Sequence, residues 1–142
     1  MDWRQIRAGD LMSTPAIALR ENVSIRRARL EMELQRIRHI PVIDREGHVR
    51  GIVTDRDLGR ALAGARPGTR LKLGDCMHRR VLAVSADSPA YQAVELMLRA
   101  RIGCLPVIGC DDRLVGIVTD TDVVRLCYDA LVGHEPRLTG NA

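Results

Sequence analysis

Apolar residues in two segments of the chain recur at the spacing of one helix face. Ile25, Ala28 and Met32 are separated by three or four positions, which is typical of an amphipathic α-helix packed against a core. The same spacing returns in a second segment further along the chain. We therefore predict helices over residues 25–37 and 89–101.

Short runs rich in Val and Ile surround these helices and indicate β-strands. The predicted strands are 16–19, 40–43 and 48–53 in the first half of the chain, and 81–84, 105–108 and 113–118 in the second. In each half the last two strands are separated by a short polar turn, so we expect them to form a hairpin. A closing helix is predicted to begin after Thr54 and again after Thr119.

The two halves of the chain also have similar sequences. Shifting the chain by 65 positions aligns Gly9 with Gly74 without a gap as far as residue 60, and the identities include the Pro-Val-Ile and Gly-Ile-Val-Thr-Asp runs. Self-similarity at a fixed period is the signature of a repeated structural unit. The sequence thus predicts an α+β protein built from two βαββα repeats.

The repeat bounds follow from the extent of this alignment. We predict a first repeat over 9–63, a linker over 64–73, a second repeat over 74–132, and a frayed tail over 133–142. One repeat of about 55 residues is marginally stable alone. We expect the two copies to form one module with pseudo-twofold symmetry and a cleft between them.

Composition narrows the classes of function. The chain has 142 residues, no apolar run long enough for a membrane span, and no export signal, so we expect a cytoplasmic protein. Aromatic residues are only 2% of the chain and the net charge is only +4, which argues against nucleic acid as a partner. The four cysteines form no CxxC motif and are expected to be reduced, small buried hydrophobes. We find no metal-ligand spacing and no nucleophile–base pair, so no enzyme is expected.

The candidate chemistry lies where the last strand of each repeat meets the closing helix. Thr54 and Asp57 stand three residues apart there, as do Thr119 and Asp122. Free amides at a helix start favour an anion such as phosphate, and a carboxylate can accept both hydroxyls of a ribose. The structural alternative is a capping box, in which threonine and acid only satisfy the first turn. Duplication preserves both arrangements, so repetition does not separate them.

These residues resemble a known family, the cystathionine β-synthase (CBS) domains, which occur in tandem pairs called Bateman modules. The resemblance covers about residues 9–130. It rests on DLMSTP at 10–15, RHIPVID at 38–44 and GIVTDRD at 51–57, and on DCM at 75–77, CLPVI at 104–108 and GIVTDTD at 116–122. Each motif is weak alone, but their common order in both copies is specific.

The resemblance implies an adenosine-type ligand in the cleft between the repeats, and a homodimer. It assigns ribose to Asp57 and Asp122 and phosphate to Thr54 and Thr119. The segments implied to hold adenine or line the pocket contain Ile40, Pro41, Leu105 and Pro106, together with Thr14, Pro15, Ala16, Arg80 and Val81.

The copies differ at several of these positions. Arg56 follows the first helix start, where the second copy has Thr121, and Thr14-Pro15 is replaced by Arg79-Arg80. Arg56 and, from the other copy, Arg80 are candidates for a phosphate tail, although a solvated surface arginine is the plain alternative. We therefore expect two unequal sites.

Three functions remain open. The first is a stand-alone regulatory module that binds AMP, ADP, ATP or a relative such as S-adenosylmethionine as a regulatory ligand and signals to an unidentified effector protein. The second is a structural or interaction protein with vestigial ligand sites. The third is a nucleic-acid-binding protein using the Arg-rich first copy, which the composition disfavours.

Overall fold

A computed structural model describes residues 2–138 and contains the two expected βαββα repeats. The elements in chain order are a 3-10 turn Trp3–Gln5, α1 Ala8–Leu11, β1 Leu19–Arg20, α2 Ile25–Gln35, β2 His39–Ile43, β3 Val49–Thr54, α3 Asp55–Gly64, a 3-10 turn Leu73–Asp75, β4 Val84–Ser85, α4 Ala90–Ala100, β5 Cys104–Ile108, β6 Leu114–Thr119 and α5 Asp120–Val132. The α+β class and the repeated unit are thus confirmed.

The chain divides into two compact units. Unit 1 contains Met1–Ala16 and Leu82–Ala142, and unit 2 contains Ile17–Val81. Each unit therefore joins most of one sequence repeat to the first segment of the other repeat. This division differs from the bounds 9–63 and 74–132, which remain a prediction about the sequence repeats.

Unit 2 contains a mixed three-stranded sheet in the order β1-β2-β3. β1 runs parallel to β2, and β2 pairs antiparallel with β3, placing His39 opposite Thr54. The sheet and α2 enclose a core that includes Ile25, Ile40 and Leu58, each at most 1% exposed. One face of the sheet is thus buried under the helices, and β-branched residues of the strands form that face.

Unit 1 repeats this arrangement. Its sheet has the order β4-β5-β6, with β4 parallel to β5 and Cys104 opposite Thr119. Its core includes Ala93, Leu105 and Val118, all fully buried. Both sheets also shift register near the end of the middle strand, at equivalent positions.

Local sequence explains the ends of the long helices. Ser24 caps α2 by accepting a hydrogen bond from the Arg27 N–H, and Pro89 occupies the N-cap of α4. Both helices end one residue before an arginine with left-handed backbone, at φ 53° for Arg36 and 54° for Arg101. The predicted helices at 25–37 and 89–101 therefore run slightly too far, because the left-handed residue stops the helix.

The first segment of each sequence repeat docks on the sheet formed by the other repeat. In unit 1, the backbone of Ser13 exchanges two hydrogen bonds with Ile117 on β6, at 2.8 and 3.2 Å. In unit 2, the backbone of His78 does the same with Ile52 on β3, at 2.9 and 3.0 Å. These docked segments, residues 8–13 and 73–78, bring further side chains to the start of the closing helices.

Three expectations need correction. The strands predicted at 16–19 and 81–84 are only two residues long and begin at the last residue of each prediction. Of the cysteines, Cys104 is buried, Cys76 is half-buried, and Cys110 and Cys127 are exposed, so the expectation of buried thiols is wrong for the last two. Cys110 lies in a polar turn, and Cys127 lies on the solvent side of α5.

The tail expected to fray is ordered in its first part. The backbone N–H of His134 donates to the carbonyl oxygen of Asp129 at 2.9 Å, and the N–H of Arg137 donates to the Asp129 carboxylate at 3.3 Å. Leu138 packs against the unit 1 core. Residues 139–142 of the predicted tail lie outside the described residues. Within residues 2–138, no helix combines the length and the apolar character needed to cross a membrane.

Candidate functional site

In unit 2 the candidate site lies at the junction of β3 and α3. Thr54 is the N-cap of α3, and its hydroxyl accepts a hydrogen bond from the Asp57 N–H at 3.2 Å. The Asp57 Oδ2 accepts one from the Thr54 N–H at 2.9 Å. These reciprocal bonds form the capping box that was the structural alternative for this motif.

The second carboxylate oxygen of Asp57 is held by the docked segment. The Nε2 of His78 lies 2.9 Å from the Asp57 Oδ1, and the imidazole is 63% exposed while the carboxylate is only 9% exposed. Burial acts to raise the pKa of Asp57, but hydrogen bonds from Thr54 and His78 outweigh it, so the pKa lies below its usual value. Asp57 is therefore a carboxylate at neutral pH, with both oxygens occupied.

In unit 1 the equivalent carboxylate, Asp122, stands at the start of α5 and has different neighbours. The Asp122 Oδ2 accepts hydrogen bonds from the N–H and the hydroxyl of Thr119, at 2.8 and 3.1 Å. The Asp122 Oδ1 accepts one from the Ser13 hydroxyl at 3.0 Å and lies 3.6 Å from the Arg125 guanidinium. The Asp122 residue is 4% exposed, and both of its carboxylate oxygens accept hydrogen bonds from protein groups.

The predicted site residues fall into two groups, one in each unit. Thr14, Pro15, Ala16, Leu105, Pro106, Thr119, Thr121 and Asp122 belong to unit 1, and Ile40, Pro41, Thr54, Arg56, Asp57, Arg80 and Val81 belong to unit 2. Arg80 belongs to the second sequence repeat but lies in unit 2, as Arg56 does. It follows the docked segment of unit 2, which exchanges backbone hydrogen bonds with β3.

The residues on the middle strands are buried. Ile40 and Leu105 are fully buried within the two cores, and Pro41 and Pro106 are also almost completely enclosed. Their side chains therefore belong to the packing of each unit. An adenine contact at these positions is limited to backbone atoms, whereas Thr14, Arg56, Arg80 and Thr121 are exposed.

Sequence reasoning missed Ser13 and His78, the two side chains that hold the free oxygens of the carboxylates. The signal was present in the repeat alignment, since Ser13 and His78 are equivalent positions that follow the matched residues Met12 and Met77. Their importance was hidden because the two residue types differ. The contacts also span 109 and 21 positions in sequence.

Two other surface features contain side chains of the kind that bind ligands. In the described part of the chain, one group has metal-ligating atoms within 4.8 Å of one another, namely Asp44, Glu46 and His48 in an exposed polar turn. The Asp44 carboxylate is already paired with Arg50 at 2.8 Å. In unit 1, Asp122 lines a small hollow together with Asp129 and Leu138, which lacks the room for a nucleotide.

The chain resembles curated proteins of two kinds. It is 30% identical to a CBS domain-containing protein of Dictyostelium discoideum, over 89% of this chain and 94% of that protein. It is 32% identical to the L-aspartate semialdehyde sulfurtransferase of Methanocaldococcus jannaschii, over 82% of this chain but 22% of the enzyme. The chain thus spans about a fifth of the length of the curated enzymes that it matches.

Solved structures share its fold and include complexes with adenosyl ligands. One CBS domain pair, solved with 5′-methylthioadenosine and S-adenosyl-L-methionine, has a TM-score of 0.78 and 31% identity, covering 87% of this chain and 97% of that chain. The cytosolic domain of the Mg²⁺ channel MgtE, solved with ATP, has a TM-score of 0.73 and 30% identity, covering 84% of this chain and 48% of that chain. Structural relatives of this chain therefore bind adenosyl ligands.

The family model for the CBS domain matches the chain twice, at residues 8–64 and 73–129. These two matches cover the two copies of the internal repeat, each of which folds as a βαββα repeat. The chain belongs to the CBS domain family, as a tandem CBS pair.

Proposed function

We propose that the protein is a regulatory module that binds adenosyl ligands, such as AMP, ADP, ATP or S-adenosylmethionine, and signals their level to an effector protein. The observation that carries this proposal is the repeated carboxylate at a strand–helix junction. In both units one of its oxygens is held by the helix start, and the other by a side chain from the docked segment.

The proposed contact is between the ribose diol and these carboxylates. The outer oxygens of Asp57 and Asp122 accept hydrogen bonds from a half-exposed imidazole and a hydroxyl group. A ribose hydroxyl offers the same kind of donor. Exchanging one hydrogen bond for another costs little net free energy, so Ser13 and His78 can yield their places to a ligand.

The remaining parts of the ligand are assigned by position. Thr54 and Thr119, with the first amides of α3 and α5, are proposed to face phosphate, as are Arg56 and Thr121 beside them. The backbone of the Ile40-Pro41 and Leu105-Pro106 steps is proposed to hold the adenine, and the extended segments at Thr14–Ala16 and Arg80–Val81 are proposed to line the pocket. Relatives solved with S-adenosylmethionine and with ATP support this ligand class.

We include a homodimer in the proposal. Helix α5 presents Val124, Tyr128 and Leu131 on one face, at 67%, 57% and 82% exposure. A row of large apolar side chains at this spacing favours burial against a second helix. Sedimentation of the wild type and of Leu131→Glu tests it, with a dimer expected only for the wild type.

Isothermal titration calorimetry with AMP, ADP, ATP, S-adenosylmethionine and adenosine tests the ligand proposal. Asp57→Asn and Asp122→Asn are expected to remove binding at units 2 and 1, respectively. Asp55→Asn and Asp120→Asn are matched controls, since they make the same charge change two residues earlier in the same helix turn and are expected to retain binding. Absence of heat with every compound, or unchanged binding in both site variants, contradicts the proposal.

A second candidate function is an interaction protein whose sites are vestigial. It is favoured by one observation, that the oxygens of both carboxylates already accept hydrogen bonds from protein groups at the helix starts and on the docked segments. For such a protein, nucleotides would leave the melting temperature unchanged while an effector protein would still bind. A ligand bound to the native state at 100 times its dissociation constant adds about 2.7 kcal/mol of stability, which a thermal shift detects.

A further inference from the structure

The two candidate sites share their carboxylate but differ in the charge around it. At three equivalent positions unit 2 has a basic side chain where unit 1 has a neutral one. These pairs are His78 and Ser13, Arg56 and Thr121, and Arg80 and Pro15. The difference is concentrated beside the carboxylate, because His78 touches Asp57 and Arg56 is its neighbour in the first turn of α3.

Arg56 and Arg80 of unit 2 carry charges that are not paired with an acid within residues 2–138. In the part of the chain that the structure describes, neither Arg56 nor Arg80 makes an ion pair, and both are exposed. By contrast, the neighbouring Arg79 donates to Glu21 at 2.8 Å and to the carbonyl oxygen of Gly74 at 3.2 Å. The Arg79 guanidinium is therefore already paired, whereas the Arg80 guanidinium can bind a ligand phosphate.

Arg80 lies close enough to act with Arg56. It is two residues beyond His78, which corresponds to a backbone separation of at most about 7 Å, and His78 is anchored on Asp57. An arginine side chain extends the reach further. Both guanidinium groups can therefore approach a phosphate whose ribose is bound at Asp57, and a guanidinium binds phosphate oxygens through paired N–H groups.

Unit 1 has no arginine at the positions equivalent to Arg56 and Arg80, which are Thr121 and Pro15. Arg137 lines the hollow beside Asp122, and Arg125 lies 3.6 Å from Asp122 and is therefore already paired with an acid. The equivalent residue in unit 2 is Arg60, so this position does not account for the difference between the units. The hydroxyls of Ser13 and Thr121 can donate hydrogen bonds but add no charge.

We propose that the two sites select different adenosyl ligands by charge. The unit 2 site takes a ligand with a phosphate, with Arg56 and Arg80 as the specificity-determining residues. The unit 1 site takes an adenosyl ligand without a phosphate, such as adenosine or an adenosyl thioether. This inference rests on the proposed function, since it assigns a ligand class to each of the same two sites.

The test measures the ratio of AMP affinity to adenosine affinity by calorimetry in two backgrounds. Asp122→Asn leaves the unit 2 site to be observed, and Asp57→Asn leaves the unit 1 site. In the first background, Arg56→Thr with Arg80→Ala is expected to lower the ratio about tenfold and to leave adenosine binding unchanged. The control is Arg26→Thr, which removes an exposed arginine from α2 and is expected to leave the ratio unchanged.

Two further results sharpen the test. AMP binding at unit 2 is expected to weaken as salt rises while adenosine binding does not, because salt screens exposed charges. In the second background, Thr121→Arg is expected to raise the ratio at unit 1. An unchanged ratio in the double arginine variant, or an equal preference for AMP at both sites, overturns the inference. Wild-type protein that binds none of AMP, ADP, ATP, S-adenosylmethionine and adenosine instead overturns the proposed function itself.

Discussion

Units 1 and 2 show how a duplicated fold keeps its backbone contacts while its side chains diverge. In both units a docked segment exchanges two backbone hydrogen bonds with the last strand, one residue before the Val-Thr-Asp run. The donor that this segment offers to the helix carboxylate is a serine hydroxyl in one unit and an imidazole in the other. The backbone frame thus fixes where a side chain points, and the residue type decides the charge it brings.

The docked segments also differ in how they are anchored. Leu73 begins the segment of unit 2 and is fully buried in that core. Its equivalent in unit 1 is Ala8, which is equally buried but far smaller. Unit 2 therefore depends more strongly on one side chain to hold its segment, and with it His78, in place.

The largest expected effect is that of Leu73→Ala. Removal of a buried leucine side chain leaves a cavity and costs about 2–5 kcal/mol of unfolding free energy. Urea denaturation monitored by circular dichroism measures this cost. Leu34→Ala is the control, because Leu34 is 67% exposed and its loss is expected to change stability by about 0.5 kcal/mol or less. Equal effects in the two variants would contradict the role given to Leu73.

The next largest effect is the loss of stability when either of two equivalent glycines that face the docked segments is replaced by alanine. The three nearest atoms to a Cβ at Gly51 are two of the Met77 side chain and the carbonyl oxygen of His78, at 2.9 Å, whereas the three nearest at Gly116 all belong to the side chain of Met12. Backbone cannot move aside as a flexible thioether can, so Gly51→Ala is expected to cost about 1–3 kcal/mol and Gly116→Ala less. Denaturation of both variants checks the order, and the reverse order would contradict the described docking.

A smaller effect concerns Asp57 and depends on pH. Asp57→Asn is expected to cost about 1 kcal/mol at pH 7, through weaker capping of α3. Because the folded state lowers the pKa of Asp57, its stabilising contribution is complete above the unfolded value of about 3.9 and is lost as pH falls through the folded pKa. Urea midpoints of both proteins at pH 7 and pH 3 test this. A difference that stays constant between the two pH values would contradict it.

The sequence allowed a good prediction of local elements and of the repeat. The spacing of Ile25, Ala28 and Met32 predicted a helix whose three apolar residues are indeed buried. The Thr-Asp motif predicted both helix starts, because capping depends on residues three positions apart. These features are set by neighbours in the chain, which is why a pattern of residue types reveals them.

The features that the sequence did not predict depend on contacts between residues far apart in the chain. Ser13 meets Asp122 only because the first segment docks on β6, and no periodicity in residues 8–13 indicates which sheet will receive it. The ordered part of the tail is a similar case, since it is held by Asp129, a carboxylate that is 2% exposed on a helix of otherwise ordinary pattern. The ligand assignments of the individual site residues remain predictions.

The most direct test of the account is a crystal structure of the protein with AMP. We expect a ribose hydroxyl to lie about 2.7 Å from the Asp57 Oδ1, in the place that the His78 Nε2 occupies in its absence, with the phosphate beside Arg56. A nucleotide bound elsewhere, with the His78–Asp57 and Ser13–Asp122 hydrogen bonds both intact, would contradict the claim that these carboxylates bind the sugar.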